Sequence, residues 1–273
     1  MQEKTSYLLG SELSEIERLQ FQHRLLAPIT TDLWERSKIH IGDRILDLGS
    51  GPGFASLELA ELVTKKGRVT AFDSSSDYLK FLKNRIEKLE VENLECVQKD
   101  ISNVADLSCE YDHVFSRFFW IFQKNIPHLL DQLLKVIRPG ARFSLLEFYD
   151  YPARNLYFPS TPRLEKVFDA DALILADTGE FGLNVGKSLV YLLSQKGFEI
   201  ELQEPVIKTA RRGEPLWHWQ ESFYREFNQT LVQKGYISTA DNEAFWVDWE
   251  GLTNDPDAFC LSCPLMKIIA RKK

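Results

Sequence analysis

The chain of 273 residues contains no apolar run near the roughly 18–20 residues that cross a bilayer. Its first twenty residues, MQEKTSYLLGSELSEIERLQ, lack the basic start and long apolar core of a signal peptide, so a cytoplasmic location is expected. Positive charge is in deficit. A net charge of -7 and a pI near 5.4 argue against the broad basic footprint of a nucleic-acid-binding protein. The short basic clusters KTARR (208–212) and RKK (271–273) read as solvated surface. Cysteine is scarce as well. Of Cys96, Cys109, Cys260 and Cys263, only the last two form a C-x-x-C, and no second Cys/His pair completes a four-ligand zinc site. No metal is expected. Internal repeats and low-complexity linkers are also missing.

What remains is an ordinary globular composition, 44% hydrophobic and 27% charged, in a chain long enough to bury a sizeable core. Residues 12–26 carry Leu13, Ile16, Leu19 and Leu25 at helical spacing, and a second helix is expected over 28–39. From Arg44 short apolar runs alternate with helical stretches. Strands are expected over 44–49, 68–73, 94–100, 113–118, 141–148, 198–207 and 264–272. Ser74 and Asp77 resemble a capping box ahead of YLKFLKNRIEKL. A helix over 128–137 should stop at the RPG that follows, and one over 184–198 should stop at Gly197. This alternation predicts an α/β fold with a mostly parallel sheet covered on both faces, whose ligands bind beyond the carboxyl ends of the strands.

The chemistry concentrates in RILDLGSGPGF, residues 44–54. Glycines at a strand-to-helix turn can cradle a pyrophosphate, but here Gly49, Gly51 and Gly53 place the third glycine one residue early for the dinucleotide pattern. Asp47 would also repel a pyrophosphate in the adjacent loop. It favours a cationic ligand instead. S-adenosylmethionine carries an ammonium, a sulfonium, a ribose diol and an adenine without phosphate, and the bare loop lets the backbone approach it closely. Asp47 then accepts from the ammonium. Asp73, which ends the second strand 20 residues past Gly53, suits the ribose hydroxyls. Asp100, which ends the third, suits the adenine amine. A single aspartate at a strand end is more often a turn or helix cap; three in succession behind a glycine loop point to a ligand.

On these residues the chain resembles the class I, Rossmann-like S-adenosylmethionine-dependent methyltransferases. ILDLGSGPG stands as the first motif, with Ser50 where many members have cysteine, and AFDSS, with Asp73 and Ser74, as the ribose loop. QKDIS, with Asp100 and Ile101, stands as the adenine-side motif, and IRPGARFSLLEF leads into the fifth strand with Arg142 where RPGG is usual. The match looks like the small-molecule branch that includes quinone-biosynthesis enzymes. That branch often opens with a YxLG…E-x-x-RL-x-x-Q helix, matched by Tyr7, Leu9, Gly10, Glu17, Arg18, Leu19 and Gln22. The resemblance implies a seven-stranded sheet, a helical lid over the cofactor that brings Tyr7 and Gln22 to it, and Arg117 and Phe118 beside the methyl donor. The core match covers roughly 43–150, with support from 184–207 and 264–273.

The expected organisation is an N-terminal helical lid (1–42), a cofactor-binding core (43–207, with 149–183 as a loop and helix cap), a helical aromatic-rich insertion (208–261) and a final core strand (262–273). The insertion holds Trp217, Trp219, Trp246 and Trp249. These rings build the insertion's own core or a homodimer contact in one reading, and line a substrate cavity in another. A sulfonium methyl is already activated, so alignment and exclusion of water come first, and a base matters only if the acceptor must lose a proton. Glu147, Tyr149 and His218 are the candidate bases; His113 reads as structural and His128 as a cap or surface residue. The expected function is methyl transfer from S-adenosylmethionine, leaving S-adenosylhomocysteine, to a small, partly apolar acceptor. Acidic charge and the absence of a basic stripe weigh against nucleic acid as substrate, and the lack of an NPPY-type tetrapeptide weighs against amino-group methylation of nucleobases and of protein glutamine. A methyltransferase acting on RNA or protein and a noncatalytic cofactor-binding module are the alternatives.

Overall fold

The computed structural model of the protein describes residues 13–108, 110–149, 157–176 and 184–273. Tyr7, Leu9, Gly10 and Cys109 lie outside them. The chain opens with helix α1 (Leu13–Arg36) and then alternates: β1 (Arg44–Leu48), α2 (Phe54–Val63), β2 (Arg68–Asp73), α3 (Ser76–Leu89), β3 (Leu94–Gln98), β4 (Tyr111–Arg117), α4 (Ile126–Leu133) and β5 (Ile137–Phe148). After it come β6 (Tyr157–Phe158), α5 (Pro162–Ala176), α6 (Val185–Gln195), β7 (Phe198–Val206), β8 (Thr209–Arg211), α7 (Pro215–Gln233), α8 (Thr239–Asn254), β9 (Phe259–Leu261) and β10 (Leu265–Lys272).

Seven strands form one sheet in the order β3-β2-β1-β4-β5-β10-β7. The first five run parallel, and β10 pairs antiparallel with both β5 and β7. Strand order reverses between β1 and β4, which opens the crevice where α/β sheets bind ligands. The central strands are apolar on both faces because helices cover both. Ile45 joins α1 and α2 residues on one face, among them Leu26, Leu33 and Leu59. Its neighbour Leu46 joins Leu129, Leu130 and Leu189 of α4 and α6 on the other.

Several boundaries differ from the sequence reading. The two helices expected at 12–26 and 28–39 are one helix that continues through Pro28. A proline costs a helix one backbone bond, yet Leu26, Ile29, Leu33 and Trp34 bury on both sides of it and keep the helix whole. Ser75, not Ser74, caps α3: its Oγ accepts from the Tyr78 amide, while Asp73 Oδ1 accepts from the Ser75 amide. The expected helix 128–137 ends at Leu133, and RPG falls inside β5 at a register shift against β4, with Gly140 at φ 80°. Strand β3 ends at Gln98 and α6 at Gln195. Strand β4 starts at Tyr111 and stops at Arg117, one residue before Phe118 turns to φ 56°.

The segment 208–261 is not purely helical. Its strands β8 and β9 pair with β6 in a second, three-stranded antiparallel sheet, which ties residues 157–158 to it. Helix α5, which carries no motif, packs with α7 and α8 around rings from all three. Trp217 and Trp249, 1% and 2% exposed, lie 5.7 Å apart by ring centroid. Tyr157, Phe168, Tyr224 and Phe245 complete the cluster. Those two tryptophans therefore serve the cap's own core, where each buries a large apolar surface.

Candidate active site

The loop after β1 is built from three left-handed glycines, Gly49 at φ 71°, Gly51 at 55° and Gly53 at 76°. Each has a different reason. A Cβ at Gly49 would fall 2.4 Å from Phe119 Cδ2, and one at Gly53 would fall 2.4 Å from both Leu82 methyl carbons, so these positions are closed by packing. A Cβ at Gly51 would meet no atom within 4 Å. Gly51 is the position where the bare backbone faces open space.

The acids group around this loop. Gly51 donates its amide to Asp73 Oδ2 at 2.8 Å, and the Ser75 amide donates to Asp73 Oδ1 at 2.8 Å, so Asp73 organises the loop as well as ending β2. Burial raises its pKa, against the amide bonds that lower it. Ser50 donates its amide to the Phe72 carbonyl, while its buried Oγ has no hydrogen-bond partner among the described residues. Ser74 is exposed. Asp100 takes the cap role that a lone strand-end aspartate usually has: its Oδ1 accepts from the amide and hydroxyl of Ser102, and these bonds hold its pKa down. Half-buried Ile101 begins the 3-10 turn that it caps.

Asp47 is 2% exposed at the end of β1 and accepts from Ser56 Oγ. Burial pushes its pKa up to about 6, although the Ser56 hydroxyl and the Arg117 charge both pull it down. Arg117, from the neighbouring strand end, is lowered to about 10 by desolvation, offset by the charges of Asp47 and Glu58. Its Nη1 donates to Thr30 Oγ1 at 3.3 Å, and its Nη2 lies 3.2 Å from His23 Nδ1. His23 Nε2 lies 2.9 Å from Glu58 Oε1. A buried acid and a half-buried cation thus lie at neighbouring strand ends behind the loop, the acid held by α2 and the cation by α1.

The other expected residues have distinct settings. Gln22 accepts on Oε1 from Arg18 Nη1 and from Trp219 Nε1, both at 3.3 Å, which joins α1 to α7. Glu147, fully buried at the end of β5, accepts on Oε1 from the Phe119 amide at 3.0 Å, and burial raises its pKa to about 8. Its Oε2 has no hydrogen-bond partner among the described residues. Phe118 stacks on Phe148 at 4.5 Å and 11°, which forms an aromatic edge between β4 and β5. Tyr149 lies half-buried under Lys187, and His218 is exposed on α7, 3.9 Å from Glu221. His113 is buried against Asp43, and His128 is exposed on α4. Cys96 and Cys260 are free thiols, and no metal-binding group of side chains occurs among the described residues.

Sequence reasoning passed over His23, Thr30, Ser56 and Glu58. Ser56 and Glu58 do carry a signal, since they lie in the first turns of the helix that the glycine loop opens. His23 directly follows Gln22 in the leader helix, but only the fold brings it to Arg117.

The ubiquinone/menaquinone biosynthesis C-methyltransferase UbiE of Ectopseudomonas mendocina is 30% identical over 151 residues, covering 54% of each chain. The 2-phytyl-1,4-naphtoquinone methyltransferase of Synechococcus elongatus is 32% identical over 125 residues, 43% of this chain and 53% of that one. The chain spans about half the length of the curated relatives it matches. Among solved structures, the YcgJ protein of Bacillus subtilis shares the fold at TM-score 0.57 and 15% identity, over 92% of this chain and 99% of that one. Coclaurine N-methyltransferase, bound to N-methylheliamine and SAH, does so at TM-score 0.56 and 16% identity, over 90% and 72%. A methyltransferase-domain family model matches residues 39–176, just over half of the 273 residues. The chain belongs to the methyltransferase-domain family.

Proposed function

We propose that the protein binds S-adenosylmethionine at the carboxyl ends of β1, β2 and β4 and transfers its methyl group to a small, partly apolar acceptor. The observation that carries this reading is the placement of Asp47 and Arg117 at the ends of the neighbouring strands β1 and β4, within electrostatic reach of each other, behind a glycine loop whose Gly51 faces open space. Together they match the ammonium and carboxylate of an amino-acid end, which a phosphate-bearing dinucleotide lacks. The spare acceptor capacity of Asp73 suits the ribose diol, and Ser50, Ser74, Asp100 and Ile101 border the nucleoside. When bound, the sulfonium supplies an activated methyl; the residues of this chain bind, orient and exclude water.

The acceptor class is supported by the quinone methyltransferase relatives and by the Phe118–Phe148 stack, a flat apolar surface for a ring. We assign Glu147 to the turn that carries Phe118 and Phe119 rather than to proton abstraction, because its Oε1 holds the Phe119 amide and its carboxyl is mostly neutral at pH 7. His218 has the least support as a base, being exposed. The net charge of -7 weighs against a nucleic-acid partner.

The test is a calorimetric comparison of S-adenosylhomocysteine with adenosine. Wild-type protein should prefer the former, and Asp47→Asn should remove most of that preference. Equal affinity for the two ligands in the wild type would refute the assignment of Asp47 and Arg117.

A further inference from the structure

The hydrogen bonds around His23 specify its protonation state. A guanidinium has donors only, so the Arg117 Nη2 that lies 3.2 Å from His23 Nδ1 requires a lone pair there. The carboxylate of Glu58, 2.9 Å from Nε2, accepts only, so the ring proton belongs on Nε2. Both neighbours demand one species, the neutral Nε2–H imidazole. Its place is equally constrained. The ring is 5% exposed and stacks on Phe54, the residue that opens α2 directly after Gly53, at 5.8 Å and 30°. Arg85 covers Phe54 with its guanidinium 5.4 Å from the ring centroid.

Helix α1 supplies a second acceptor to the same guanidinium. Thr30 Oγ1 donates to the Leu26 carbonyl at 3.0 Å, which leaves a lone pair for Arg117 Nη1. Arg117 is therefore gripped by two neutral acceptors from the leader helix, and its charge is left to Asp47 and Glu58. A carboxylate in place of His23 would neutralise the arginine; an aliphatic residue would release it.

We propose that His23, fixed as the Nε2–H tautomer by Glu58, is a positioning residue that presents Arg117 to the carboxylate of the cofactor's amino-acid end. This rests on the reading of Asp47 and Arg117 given above. It assigns to the leader helix a specific task in cofactor selection: through His23 and Thr30, α1 aims the cation that discriminates S-adenosylhomocysteine from a plain nucleoside.

The experiment uses the full chain and two ligands, S-adenosylhomocysteine and adenosine. His23→Ala should weaken S-adenosylhomocysteine roughly tenfold, the cost of a lost hydrogen bond to a charged group, and leave adenosine affinity unchanged. His23→Asn, whose amide oxygen replaces the Nδ1 lone pair, should recover most of the loss. In wild-type protein, 15N shifts assigned by their disappearance in His23→Asn should show a protonated Nε2 and a bare Nδ1. A wild type that prefers S-adenosylhomocysteine, with the preference intact in His23→Ala, would overturn the proposal, as would a protonated Nδ1. A wild type with no preference contradicts instead the assignment of Asp47 and Arg117. If His23→Ala does not fold, the tautomer measurement and His23→Asn decide: a bare Nδ1 with preference retained supports the proposal, and loss of preference in a folded His23→Asn overturns it.

Discussion

The Gly51 amide donates to Asp73 Oδ2 across 2.8 Å, so the residue expected to hold the ribose also holds the loop that covers it. One substitution should therefore weaken two features of the site together. Asp73→Ala is expected to reduce S-adenosylhomocysteine affinity by about 1.5–3 kcal/mol, the range for hydrogen bonds to a charged group. Calorimetry checks this, and unchanged affinity would remove Asp73 from the site.

The three glycines should separate binding from stability. Gly51→Ala places a Cβ in open space at φ 55°, a strain of about 1–2 kcal/mol, and should lose cofactor affinity while the fold survives. Gly53→Ala adds overpacking against Leu82 to the same strain and should cost about 2–4 kcal/mol of stability. Urea melts read beside ligand titrations distinguish them. A Gly51→Ala protein that binds normally would mean that the ligand does not approach there.

Asp47 should trade stability for binding. Its folded-state pKa is raised from 3.8 to about 6, so its contribution to stability is complete below 3.8 and lost as pH rises through about 6. A shift of this size is about 3 kcal/mol at most. Asp47→Asn should consequently melt higher than wild type at pH 8 and match it only below about 3.8, while binding the cofactor less well at pH 8. In the wild type, affinity for S-adenosylmethionine should fall as pH drops through about 6, where the carboxylate that faces the ammonium is protonated. A pH-independent difference in melting would contradict the buried, raised carboxyl.

Glu147 supports a turn, and its variants should show it. Glu147→Gln keeps an oxygen for the Phe119 amide and should fold and turn over much as wild type does. Glu147→Ala leaves that buried amide unpaired and should cost about 1–3 kcal/mol of stability. If Glu147→Gln folds normally yet loses turnover, and the wild-type rate rises with pH through about 8, Glu147 is the base instead.

The seven sheet strands were legible because each is an apolar or alternating run, β7 and β3 being the alternating ones. The loop was legible because Asp47 and three alternate glycines are rare together. The β6, β8 and β9 strands were not, since a strand of two or three residues has no period to read. Pro28 misled for a related reason: local propensity marks a break, and only burial of Leu26, Ile29 and Leu33 overrides it. The grip on Arg117 was hidden most completely. Thr30 and His23 reach it from 87 and 94 residues away in sequence, and nothing in a helical pattern announces such a contact.

The most direct test of the whole account is transfer of a labelled methyl group from S-adenosylmethionine to an extracted metabolite pool that includes reduced quinones, with RNA and protein fractions assayed alongside. The account predicts label in the small, organic-extractable fraction, made by the wild type and lost in Asp47→Asn. Label confined to RNA or protein, or no transfer to any fraction by a protein that binds the cofactor, would contradict it.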